Sequence, residues 1–189
     1  MLAKTDPEQF LCAALTAVSE DSDWRSVLDE IPVPIYVTDS QGAVTYWNSA
    51  CVTLAGRVPQ LGRDRWCVTW KIFTTSGEFM PHEDCPMAQA IKEQRVIRET
   101  VAIAERPDGS RVAFKPYPTP LFDQSGTLVG AINMLVDVSA EQHVALQDQA
   151  ERCRRLAGSL YNRESMAALE NMAVAFERTA AELKPVNDA

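Results

Sequence analysis

The sequence predicts an α+β protein: a five-stranded antiparallel sheet with helices on one face, an N-terminal helix before it and a C-terminal helical hairpin after it. Three observations carry this. β-rich runs are joined by turn signals, Asp39-Ser40-Gln41-Gly42 early and Pro107-Asp108-Gly109 and Asp123-Gln124-Ser125-Gly126 late. Apolar residues recur at three- to four-residue spacing near both ends of the chain. The 189 residues, 46% hydrophobic and 23% charged, suit one ordinary domain with extra helix.

Residues 7–19 read as a helix. Pro7 suits a first helical position, Asp6 can cap it, and Phe10, Leu11, Ala14, Leu15 and Val18 form one apolar face. A second helix at about 23–30 carries Trp24, Val27 and Leu28. Ile31-Pro32-Val33-Pro34 stops it, because proline lacks a donor and disfavours helix in the residue before it. Ile35–Thr38 and Ala43–Trp47 flank the first turn, so 35–47 reads as a hairpin. Asn48 is placed to cap Ser49–Ala55, which Gly56 ends. Within 57–85, glycines and prolines alternate with aromatics, and only 68–73 reads as a short strand. Pro86–Gln94 reads as a helix capped by Asp84. Val96–Glu105, Arg111–Phe122 and Leu128–Val136 make an antiparallel meander. Ser139 and Gln142 form a capping box that opens a helix over about 140–160. Asn162 or Ser165 opens the last helix, which Pro185 stops. There Met166, Leu169, Ala173, Phe176, Ala180 and Leu183 repeat at 3-4-3-4-3 spacing, a seam that requires a partner surface.

Composition excludes several classes. No apolar run reaches the ~20 residues of a membrane span, and the start MLAKTDPEQF lacks the charge and apolar core of a signal peptide. Five cysteines at positions 12, 51, 67, 85 and 153 are odd in number and widely spaced, which suits reduced thiols in a cytoplasm. The net charge is −8 and no segment is basic, so the footprint of a nucleic-acid or anionic-lipid binder is missing. No nucleophile–base pair stands at motif spacing, and two histidines build no general acid–base site; the reading is non-enzymatic.

With these motifs in place, residues 24–138 resemble a PAS domain. The resemblance rests on Ile35–Asp39, on Gly42-Ala43-Val44-Thr45-Tyr46-Trp47-Asn48, on the two later turns and on Leu135-Val136-Asp137-Val138-Ser139, which looks like the family's junction between sheet and exit helix. The segment Pro81-His82-Glu83-Asp84-Cys85-Pro86-Met87-Ala88 is similar to a variant of bacterial sensor proteins. Three parts follow: a flanking helix at 1–23, the PAS domain at 24–138 and a helical tail at 139–189. The resemblance implies a sensor that binds a small apolar ligand or a protein and signals through its tail to a downstream signalling protein. The apolar stripe of the last helix places Met166, Leu169, Ala173, Phe176, Ala180 and Leu183 at the interface of an expected homodimer; a monomer whose tail folds back on its own sheet is the alternative. A ligand-free dimerisation scaffold is the bland alternative. The tail is too short for a kinase or cyclic-dinucleotide enzyme, and His143 lacks the surroundings of a phosphoacceptor.

For a ligand pocket the candidates are Trp66, Trp70, Phe73, Met87, Ile91, Ile103, Phe114, Tyr117 and Met134, with Asn133, Arg111 and Lys115 as polar groups. Side chains alternate along a strand, so only about half of the strand residues can face inward; plain core packing is the alternative. His82 and Cys85 offer metal or heme ligands, since Cys85-Pro86 matches a dipeptide of heme-responsive proteins. Tetrahedral zinc needs two more ligands, and no cofactor is expected. The N-C-R-F-L-Q string of the family's flavin photoreceptors is absent. Cys85, at a helix start, suits a low-pKa redox thiol.

Overall fold

The computed structural model describes residues 7–19 and 23–185. Helices α1 (Pro7–Ser19) and α2 (Trp24–Glu30) lead into a hairpin of β1 (Ile35–Asp39) and β2 (Val44–Trp47). Helix α3 (Ser49–Ala55) follows, then the short strands β3 (Lys71–Phe73) and β4 (Phe79–Met80), a 3-10 turn at His82–Asp84 and α4 (Pro86–Glu93). Strands β5 (Ala102–Glu105), β6 (Arg111–Pro116), β7 (Thr119–Phe122) and β8 (Leu128–Asp137) complete the sheet, and α5 (Ser139–Gly158) and α6 (Arg163–Glu182) form the tail. The initial cap expected from Asp6 lies outside the described residues.

The sheet runs β2-β1-β8-β6-β5-β3-β4, with β7 also on β8. It has eight strands where the sequence suggests five, for two physical reasons. Pro116 and Pro118 cannot donate to a ladder, so the expected strand 111–122 breaks into β6, which pairs with Asp137–Leu135, and β7, which pairs with Ile132–Leu128. The Gly77 turn lets 71–80 fold into a small extra hairpin at the edge. The expected neighbours 111–122 and 127–136 are adjacent and antiparallel. Residues 96–101 do not join β5, which begins at Ala102.

Strand alternation divides the sheet into two faces. Tyr36, Ala102, Ala104, Val112, Phe114, Ala131 and Leu135 face inward onto α3 and α4. Their neighbours face outward, where two flanks share the surface. Helices α1 and α2 cover Ile35, Val37, Ile132 and Met134; the tail covers Ile103, Ala113 and Phe73 through Leu146, Phe176, Ala180 and Leu183. Among the described residues no helix is long and apolar enough to cross a membrane.

Three expected caps do not form. Asn48 precedes α3, but its wholly buried amide instead ties the α2–β1 linker. Its Oδ1 accepts from Ile35 N at 3.0 Å, and its Nδ2 donates to the carbonyls of Leu28, Ile31 and Val33. Asp84 sits in the 3-10 turn, and Cys85 takes the position before α4 without a side-chain cap. Ser139 is the first residue of α5 and turns its hydroxyl to β6. Asn162 does cap α6, accepting from Glu164 N and Ser165 N.

Candidate ligand site on the inner face of the sheet

At the centre of the inner face, the Tyr36 phenol donates to the Trp66 carbonyl at 2.9 Å and accepts from Asn133 Nδ2 at 3.0 Å. Asn133 Oδ1 accepts from the Tyr117 amide at 2.9 Å, where β6 and β7 are interrupted. Tyr36 is fully buried, and burial holds its hydroxyl well above the ordinary phenol range, so it stays neutral and bonds as a donor. The Trp66 carbonyl reaches it because Trp66 adopts φ +68°, a left-handed conformation. The indole then lies flat against Gly42, where a Cβ would approach to 2.2 Å of the ring. Gly42 is therefore required twice, for its φ of +81° and for the absence of a side chain.

Three thiols surround this centre. Cys51 Sγ donates to Ile35 O at 3.3 Å, Cys67 Sγ lies 3.2 Å from Thr69 Oγ1, and Cys85 Sγ donates to the Trp66 carbonyl at 3.7 Å. Burial pushes the Cys85 thiol up to about 12, and raises Cys51 and Cys67 as well. This runs against the redox expectation for Cys85: desolvation outweighs the backbone donors at the start of α4 and favours the neutral thiol. The Thr38 hydroxyl, 1% exposed and on the same strand as Tyr36, has no hydrogen-bond partner among the described residues.

The candidate pocket residues divide by strand parity. Met87, Ile91, Phe114 and Asn133 reach the inner core, and Trp66 packs against it. Phe73 and Ile103 lie on the outer face under the tail. Tyr117 and Met134 lie on the outer face in the cluster of α1 and α2. Trp70 is 43% exposed and carries the Lys71 ammonium 4.0 Å above its ring. Arg111 and Lys115 also point away from the inner core, to Glu105 and Glu182 and to Glu99. Sequence reasoning missed Tyr36, Thr38 and Cys67. The signal was present, since Tyr36 alternates with Ile35 and Val37 and must face opposite to them.

His82 and Cys85 do not form a joint site. Cys85 is 2% exposed with its thiol engaged, while His82 sits beside Arg57, Asp64 and Thr69 with its Nε2 buried and unpartnered. Desolvation lowers the His82 imidazole and favours its neutral form. Among the described residues, no group of three or more His, Cys, Asp or Glu is placed to hold a metal ion. A separate cleft of about 340 Å³ opens between α1, α3 and the end of β8, lined by Phe10, Val33, Thr53, Leu54, Leu135 and Asp137.

The expected interface residues are used within the chain. Ala180 and Leu183 pack on the sheet, and Leu169, Ala173 and Phe176 pack on Ala150 and Cys153 of α5. Met166 remains partly exposed near the hairpin's tip.

Comparison with solved structures returns proteins of this fold at low identity. An RNA-binding light-oxygen-voltage receptor is 18% identical with a TM-score of 0.48; the match covers 96% of this chain, which spans 40% of that one. A Rhodobacter sphaeroides LOV protein is 13% identical over 89% of this chain and 95% of its own, TM-score 0.45. The LOV domain of an Erythrobacter litoralis blue-light-activated histidine kinase is 21% identical over 58% and 98%, TM-score 0.44. No curated protein matches. The family model described as PAS fold matches residues 28–143, more than half of the chain and all of the sheet described above. The chain belongs to the PAS fold family.

Proposed function

We propose that this PAS module is a non-enzymatic, cytoplasmic sensor: a small apolar ligand at the inner face alters the helical tail, and the tail signals to a downstream protein. The observation that carries the reading is the double use of β6. Val112 and Phe114 enter the inner core, while the residues between and beside them hold both ends of the tail. Ala113 N donates to Ser139 Oγ at 3.0 Å, and Ala113 O accepts from Val138 N at 2.9 Å. Arg111 pairs with Glu182 at 2.7 Å, and its carbonyl accepts from Lys184 N at 2.7 Å. A displacement of β6 by an inner occupant therefore moves the first and last turns of the hairpin together.

Tyr36, Asn133 and the unpartnered Thr38 hydroxyl are the polar groups that orient a ligand entering the mainly apolar inner core. Native mass spectrometry of the purified chain tests this. The expected result is a bound small molecule whose retention falls in Tyr36→Phe. A chain that stays bare, and that retains no compound from an apolar small-molecule library, overturns the sensing part of the reading.

A further inference from the structure

We propose that the cleft at the Trp66 end of the inner face is the head-group site of a carboxylate ligand, held by Arg65 and Lys92. The assignment rests on the sensor reading above and narrows its ligand to an apolar body carrying one carboxylate. The cleft, about 600 Å³, opens between the β1–β2 turn, the end of α4 and the turn before β8. Its apolar wall is shared with the inner core: Ile91 belongs to that core, and Trp66 and Leu128 pack against it. Ser40 and Gln41, at the cleft's edge, directly follow β1, which carries Tyr36 and the unpartnered Thr38 hydroxyl. A body that follows this wall inward along β1 meets Thr38 and then Tyr36.

Two features select the head group. The first is charge. Arg65 and Lys92 are the only charged residues lining the cleft, in a chain of net charge −8. Both stand over the Trp66 indole, with Arg65 Cζ 5.4 Å and Lys92 Nζ 6.0 Å from the ring centre. Neither pairs with a carboxylate among the described residues. Arg65 Nη2 donates to the Gln41 carbonyl and Lys92 Nζ to the Glu83 carbonyl, which leaves N–H donors on each for an anion.

The second is the backbone of the two turns. Gln41 N donates to Asp39 Oδ1 and Thr127 N to Asp123 Oδ1, each at 2.9 Å. Gly126 N donates to the Asp123 carbonyl at 3.0 Å. These amides are already engaged, so they form no nest for a phosphate dianion. Two side-chain cations remain, and one bond from each fits the single charge of a carboxylate.

Isothermal titration calorimetry of the full chain tests this, with octanoate, its neutral counterpart octanol, and octyl phosphate as probes. Octanoate is expected to bind more tightly than either of the others. Arg65→Gln and Lys92→Gln are each expected to weaken octanoate by about fivefold, the effect of one exposed charged contact, and to leave octanol unchanged. Arg95→Gln removes the same charge beyond the end of α4, where Arg95 pairs with Glu93 outside the cleft, and leaves octanoate binding as in the wild type. Arg65 and Lys92 are both exposed, so their glutamine variants keep the fold, which an unchanged urea midpoint checks. Octanol bound as tightly as octanoate, octyl phosphate bound more tightly, or octanoate unmoved in both variants overturns the head-group site. Octanoate that fails to bind a chain retaining another small molecule in native mass spectrometry overturns the carboxylate and spares the sensor reading. A chain that also stays bare overturns both.

Discussion

Replacing Arg111 by methionine removes the charged latch between β6 and the end of α6 while keeping most of the side chain's apolar bulk. In the native chain Arg111 donates to Glu105 through Nε at 3.2 Å and Nη2 at 2.8 Å, and to Glu182 through Nη1 at 2.7 Å. Its guanidinium also lies 4.5 Å from the centre of the Phe73 ring. Glu182 is 40% exposed, so its pair contributes about 0.5 kcal/mol; the less exposed pair with Glu105 contributes about 1. Stacking on Phe73 adds about 0.5 kcal/mol. Only the Glu182 pair crosses from the sheet to α6, so opening the tail loses about 0.5 kcal/mol, a roughly twofold shift in an equilibrium. Hydrogen exchange of the full chain reads this directly. Amides of the last turns of α6 and of Lys184 are expected to exchange about twofold faster in Arg111→Met, with α4 unchanged, because opening the latch frees the tail and not the core. Unchanged exchange in α6, or equal acceleration in α4, refutes the latch.

Other predictions follow from single sites. Asn48→Ala leaves Ile35 N and the carbonyls of Leu28, Ile31 and Val33 without their amide partner. At about 1 kcal/mol for the bond to Oδ1 and for each of the two N–H groups that the three carbonyls share, it costs roughly 3 kcal/mol, seen as a lower urea midpoint at constant slope. Gly42→Ala drives a methyl into the Trp66 indole and strains a positive φ, costing about 2 kcal/mol or more; indole fluorescence shifts with it. Hydrogen bonds from Lys71 and Arg111 hold the Glu105 carboxyl below its ordinary value. A lowered folded value stabilises the fold above the unfolded value of about 4.3, and that contribution is lost as pH falls through the folded value. The urea midpoint therefore falls on acidification through that window, and this part of the dependence disappears in Glu105→Gln.

Local chemistry made much of the fold legible. Gly42, Gly109 and Gly126 mark turns that the structure confirms, all at positive φ. The 35–47 hairpin, the helix at 86–94 and both tail helices follow from turn residues and apolar spacing alone. What escaped depends on partners distant in sequence. Asn48 and Ser139 satisfy every local rule for a cap, yet each finds buried backbone groups elsewhere, and those bonds win. The break at Pro116–Pro118 was written in the sequence, since two prolines two residues apart cannot hold one ladder. The site was half legible. Residue types pointed to an apolar inner face, but face assignment needs the register, and Phe73, Ile103, Tyr117 and Met134 fall on the outer side. The tail seam was legible as a stripe that packs on its neighbour in a hairpin, while the choice between a second copy and the chain's own sheet as cover for Ala180 and Leu183 needed the packed structure.

The central claim is that a change at the inner face reaches the tail through β6. Val112→Ala is the most direct probe, because Val112 is wholly buried in the inner core and touches no tail residue in the outer clusters. Hydrogen exchange of the full-length variant is predicted to show several-fold faster exchange at Val138–Leu146 and Ala180–Lys184, the two ends of the hairpin held by Ala113 and Arg111, with α1 unchanged. Loosening confined to the inner core, with both ends of the hairpin exchanging as in the wild type, would contradict the account.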